Sequence, residues 1–163
     1  MKRMHAAMVV LGIVCAGGML TVAQDMGGGA PAHILLAPDD IKWGDAPASL
    51  PPGAKLAVIE GNPKNAGLFT MRLKLPADYK ILPHKHPADE HVTVISGMFC
   101  VGVNDKIDPA KTKELPAGGF AVAPAKIAMY AFTKDQETIV QIHGMGPWGI
   151  EYVNPTDDPR NKK

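Results

Sequence analysis

The sequence predicts an all-β domain, a sandwich or a barrel, and three observations carry that expectation. Short apolar or alternating runs recur along the chain, each the length of an ordinary strand. Turn signals separate them: Pro51-Pro52-Gly53, Gly61-Asn62-Pro63, Pro76-Ala77-Asp78, Asn104-Asp105 and Thr133-Lys134-Asp135. The 15 prolines among 163 residues also work against long helices. With 46% hydrophobic residues, the chain is one domain's worth and can bury a core without disulfide staples.

Met1-Lys2-Arg3 forms a positive n-region, Ala6 to Leu20 an apolar h-region, and Thr21-Val22-Ala23 a small-residue cleavage site. Residues 1–23 therefore read as a signal peptide, and the mature chain is expected to begin near Gln24 in a periplasmic or extracellular compartment. An uncleaved anchor is the rival reading, but the apolar run falls short of the roughly 20 residues of a span, so no stable membrane span is expected after cleavage. A lipoprotein is disfavoured because Val14, directly before Cys15, is not the small residue that a lipidation site requires. Residues 24–33, with Gly27-Gly28-Gly29, read as a flexible leader.

The domain is expected over residues 34–154. A turn at Pro38-Asp39-Asp40-Ile41-Lys42-Trp43 opens it. Strand-like runs follow at Lys55 to Ile59, Gly67 to Leu75, His91 to Ile95, Phe99 to Val103, Gly119 to Ala123, Ala128 to Phe132 and Thr138 to His143. Residues 155–163 read as a solvated polar tail in which Asp157 and Asp158 pair only locally. The whole chain carries 17 basic and 16 acidic residues; removing Lys2 and Arg3 leaves 15 against 16, a net charge near −1. No basic patch with interleaved aromatics appears, so no nucleic acid is expected. Cys15 leaves with the signal peptide, and Cys100 reads as a small buried hydrophobe.

The chemistry concentrates in His84-Lys85-His86-Pro87-Ala88-Asp89-Glu90. In extended chain His84 and His86 share a face, so a ring nitrogen from each can reach one ion at about 2.0–2.1 Å. Glu90 shares a face with Val92 and Val94, which places its carboxylate on the apolar side. A carboxylate buried there without a partner is strongly disfavoured, and a cation beside it is the simplest remedy. His91, on the opposite face, suits a solvent-facing, dimer-facing or supporting role.

These residues resemble the first sequence motif of the cupin superfamily: His-x-His, three residues, Glu, six residues, Gly97. The family's second motif is recognisable but degraded from Gly118 to Met129. Gly118 and Pro124 are in place, Lys126 stands where the family has glycine, and Met129 stands where it has a third metal histidine. The resemblance narrows the fold to a double-sheet jelly roll, a small single-domain secreted cupin. It implies one divalent transition metal (Fe, Mn, Ni, Zn or Cu) held by His84, His86 and Glu90. Met129, Gln141 and His143 are the further candidates for the pocket or for ligation. Gln141 and His143 share a face, but a one-residue slip in register would send both to the other side, so the alternative of an ordinary strand histidine stays open. Met129 is either core filler or, through its thioether, a ligand suited to Cu(I).

Two histidines and one carboxylate with open positions are the arrangement of non-haem iron and oxygen chemistry. The expected function is an exported metalloenzyme acting on a small molecule, an oxidoreductase of dioxygenase type or an isomerase, with Tyr130, Lys126 and Gln141 as the nearest polar groups. The alternatives are a barrel that binds metal or a small ligand without turnover, and a metal-free scaffold. Unpaired sheet edges need cover, and the resemblance implies a homodimer.

Overall fold

The protein is described by a computed structural model covering residues 33–162. The expected signal peptide and all of the expected leader except His33 lie outside the described residues. Eleven strands follow one another: β1 (Gly44–Asp45), β2 (Lys55–Glu60), β3 (Gly67–Leu75), β4 (Lys80–Lys85), β5 (Glu90–Ser96), β6 (Met98–Gly102), β7 (Thr112–Pro116), β8 (Phe120–Ala123), β9 (Met129–Thr133), β10 (Thr138–Gly146) and β11 (Glu151–Tyr152). The helical segments among the described residues are 3-10 turns of three residues, and none is long and apolar enough to cross a membrane.

All strand pairs are antiparallel and fall into two sheets, ordered β1-β2-β3-β10-β5-β8 and β11-β4-β9-β6-β7. The order is that of a jelly roll, with sequence-distant strands as neighbours. Alternation decides which side chains meet between the sheets. Along β3, Phe69, Met71, Leu73 and Leu75 are buried while Thr70, Arg72 and Lys74 stay half-exposed. Val92 and Val94 of β5, Val140 and Ile142 of β10, Ile81 of β4, Phe99 of β6 and Met129 and Ala131 of β9 complete the core.

Each expected run is a strand, to within a residue or two, except that β10 runs three residues past His143 to Gly146. Strands β1, β4, β7 and β11 were not among those runs. The first and last are two residues long. Thr112-Lys113-Glu114-Leu115-Pro116 is a polar edge strand with no buried residue, so periodicity has nothing to register. β4 carries Pro83 and an irregularity between Ile81 and His84 that breaks its alternation.

Two local devices hold the barrel's walls. Gly97, between β5 and β6, has φ +81°, and a Cβ there would stand 2.6 Å from the Glu137 carbonyl oxygen, so only glycine fits. The close approach lets the Met98 N–H donate to Thr138 Oγ1 at 3.1 Å. Tyr130 is fully buried, on the face of β9 opposite Met129. Its hydroxyl donates to the Asp108 carbonyl at 2.7 Å, accepts from the Asp108 N–H at 3.0 Å and meets the Thr112 hydroxyl at 2.8 Å. The loop after β6 is thereby pinned to the sheet. Tyr130 is fully used there and is not a pocket group. The tail folds into two 3-10 turns, with Asp158 paired to Arg160 at 2.6 Å.

Candidate metal centre

Both sheets contribute to one end of the barrel interior. His84 lies near the end of β4, opposite Met129 of β9 on one side and Tyr152 of β11 on the other. His86 follows just beyond β4, and Glu90 opens β5 in the other sheet. Their exposures are 2, 3 and 5%. The two imidazoles meet edge to face with ring centroids 4.9 Å apart.

Backbone carbonyls set the tautomers. His84 Nδ1 lies 2.7 Å from the Leu82 oxygen and His86 Nδ1 2.8 Å from the Gly149 oxygen. A carbonyl only accepts, so each Nδ1 carries the proton and each Nε2 keeps a lone pair. That is how ligating histidines are commonly oriented. Burial foremost, and then the neighbouring His86, holds the His84 imidazole down to about 4, which leaves it neutral at pH 7. His86 Nε2 is the one buried side-chain polar atom without a hydrogen-bond partner among the described residues. Leaving such an atom unsatisfied costs about 1–3 kcal/mol.

His86 Nε2 faces Glu90 Oε1 at 3.6 Å. Neighbouring donors on a tetrahedral ion stand about 3.3 Å apart, so this pair is near the spacing of a shared ion. The third donor is not drawn in: among the described residues, no three His, Cys, Asp or Glu side chains stand together at ion-holding distance. The donor chemistry, the tautomers and the orphaned nitrogen fit a metal, and a third donor would have to be brought in by side-chain movement. A void of about 20 Å³ lies between His84, His86, Glu90, Met129 and Trp148, enough for roughly one water or ion.

Met129 is 5% exposed and borders that void, as a pocket residue should. Gln141 and His143 do not. In β10 the buried positions are Val140 and Ile142, and Gln141 and His143 alternate with them onto the outer face. The register pairs Gln141 with Thr93 and His143 with His91, after an irregularity between Ile139 and Val140. There Gln141 accepts from Arg72 Nε at 3.0 Å, and His143 Nε2 meets His91 Nδ1 at 3.1 Å. Both residues are therefore removed from the pocket and from ligation. Lys126 is exposed at the barrel mouth, with its N–H on the His86 carbonyl at 2.9 Å.

Sequence reading missed Trp148. Its indole N–H donates to Glu90 Oε2, and its ring stacks on His86 with centroids 6.0 Å apart. One carboxylate oxygen is thus tied to the indole, and the other is aimed at His86. The bend Gly144-Met145-Gly146-Pro147-Trp148 was the only signal, and it says nothing of where the indole goes.

Residues 32–149 match the family described as a domain of unknown function, DUF4437. No curated protein sequence matches the chain. Among solved structures, the polyketide cyclase RemF from Streptomyces resistomycificus is similar over 78% of this chain and 90% of its own, with TM-score 0.64 and 14% identity. A protein from Methylibium petroleiphilum provisionally described as an acetylacetone dioxygenase matches over 80% of this chain and 88% of its own, with TM-score 0.59 and 17% identity. An RmlC-like cupin protein from Ralstonia eutropha matches over 76% and 74%, with TM-score 0.58 and 16% identity. At such identities the likeness speaks for the fold. With the family match covering most of the domain, the chain belongs to the DUF4437 family, and its fold is similar to that of RmlC-like cupins.

Proposed function

We propose that this protein is an exported metalloenzyme that holds one divalent transition metal in the barrel through His84 Nε2, His86 Nε2 and Glu90 Oε1 and acts on a small molecule at the barrel mouth, as an oxidoreductase of dioxygenase type. The observation that carries the reading is the orphaned Nε2 of His86, buried and facing a carboxylate oxygen at 3.6 Å. When bound, the ion supplies Lewis-acid polarisation and an open position for oxygen or water. The chain's own groups do the rest. The Leu82 and Gly149 carbonyls hold the two rings with their lone pairs inward, and Trp148 fixes the rotation of the Glu90 carboxylate. Burial keeps His84 free of a competing proton. Pro87 and Ile150 line one side of the approach.

A second reading, metal binding without turnover, draws support from the interior void. At about 20 Å³ it admits an ion but no organic substrate. The thioether of Met129 beside it is also a poorer ligand than an imidazole for most divalent ions. The expected homodimer is supported by Leu68, Phe120, Val122 and Met145, apolar side chains exposed on the outer face of the six-stranded sheet; size-exclusion chromatography with light scattering tests it.

Elemental analysis by mass spectrometry of untagged protein tests the site. Near-stoichiometric metal is expected, and it should vanish in His84→Ala, His86→Ala and Glu90→Gln. Metal absent from the parent, or unchanged in the variants, overturns the site. If metal binds stoichiometrically but a panel of small oxidisable substrates shows no turnover that depends on Glu90, the second reading replaces the first.

A further inference from the structure

A cleft of about 490 Å³ opens at the barrel mouth beside His86, lined also by Lys85, Lys126, Gly149, Ile150 and Glu151. The interior void is too small for an organic molecule, and this cleft is lined by His86 itself, so an organic ligand in it rests beside the candidate centre. Two features of its rim are unusual. Lys126 has φ +65°, a left-handed conformation that glycine adopts freely and a side chain resists. The chain bears that strain and so holds a lysine at the turn tied to the His86 carbonyl. Lys85 sits directly between the two histidines and opposite Glu151 across the β4–β11 pair. Yet among the described residues Lys85, Lys126 and Glu151 make no ion pair, while four other lysine or arginine side chains do.

Two ammonium groups against one carboxylate leave the cleft with a net positive charge, and the pyrrolidine of Pro87 and the side chain of Ile150 give it an apolar wall. We infer that the cleft binds a small organic carboxylate, its charged head on Lys85 and Lys126 and its apolar body against Pro87 and Ile150. The inference deepens the metalloenzyme reading and rests on it for the ligand's place beside the ion. An inorganic anion would satisfy the lysines but leave the apolar wall unused, and a neutral analogue would do the reverse.

The test is a titration of the nitrogen-15-labelled protein followed by amide chemical shifts, with butyrate, butyramide and inorganic phosphate as probes. It is run at low salt, since exposed charges are screened over about 10 Å at 0.1 M. Saturable shifts centred on Lys85, Lys126 and Gly149 are expected with butyrate. Lys85→Gln and Lys126→Gly should each weaken binding about tenfold, and Lys126→Arg should retain it. Lys126→Gly should also raise the thermal midpoint, because glycine relieves the left-handed strain; binding lost in a stabilised protein cannot be ascribed to unfolding. Absence of butyrate shifts, undiminished binding by Lys126→Gly, or equal binding of butyramide or phosphate overturns the inference. Metal content measured on the same preparations separates the two readings: butyrate bound through both lysines in a protein that takes up no metal supports the carboxylate cleft and overturns the metal centre alone.

Discussion

Acid should destabilise the metal-free protein through His84, and the size of the effect can be worked out. The ring is 2% exposed, and burial together with His86 lowers its pKa from 6.5 to about 4. As pH falls below 6.5 the unfolded chain takes up a proton that the folded chain refuses until about pH 4. Stability is therefore full above pH 6.5 and is lost as pH falls through that window. The gap of about 2.5 pH units, at about 1.4 kcal/mol each, is worth about 3 kcal/mol in all, most of which is gone by pH 4.5. Urea unfolding of metal-free parent and His84→Leu at about pH 7.5, 6, 5 and 4.5 measures it. Titrating groups remote from His84 cancel in the difference between the two proteins. The parent should lose about 2–3 kcal/mol relative to the variant across this range. Parallel pH profiles would refute the claim that His84 is held neutral by burial.

Trp148→Phe keeps an aromatic ring against His86 but removes the N–H that holds Glu90; metal affinity should fall about 10–100-fold in a chelator competition, and unchanged affinity would deny Trp148 its positioning role. Tyr130→Phe leaves the Asp108 N–H without its partner and takes one donor from the Asp108 carbonyl, which keeps the Lys111 N–H and the Thr112 hydroxyl. A loss of about 1–3 kcal/mol is expected, with faster hydrogen exchange at the Asp108 amide, and protection equal to the parent's would show that the loop is held otherwise. Gly97→Ala forces a Cβ within 2.6 Å of the Glu137 carbonyl at φ +81°; thermal unfolding should show a loss of about 3 kcal/mol or more, and a shift under about 1 kcal/mol would mean that the turn re-forms.

Much of the site was legible because its parts are local. His84 and His86 are two residues apart in extended chain, and the alternation of Glu90 with Val92 and Val94 put the carboxylate inward; no distant contact is needed for either inference. The strands β3, β5 and β10 were legible for the same reason: each has one buried face, and burial of one face imposes period two on the residues. β7 was not, since an exposed edge strand is under no such demand.

What the residues alone could not settle is whatever passes between strands far apart in the chain. Gln141 and His143 share a face in any extended conformation, but which face depends on the irregularity between Ile139 and Val140 that sets β10 against β5. Trp148 meets Glu90 across 58 residues, and the Gly149 carbonyl meets His86 across 63. The order of residues thus determined the candidate donors and the all-β class, through alternation and spacing within single strands. Only the packing of the two sheets decided the tautomers, the carboxylate's second partner and the volume left for an ion, because each depends on backbone and side chains that folding alone brings together.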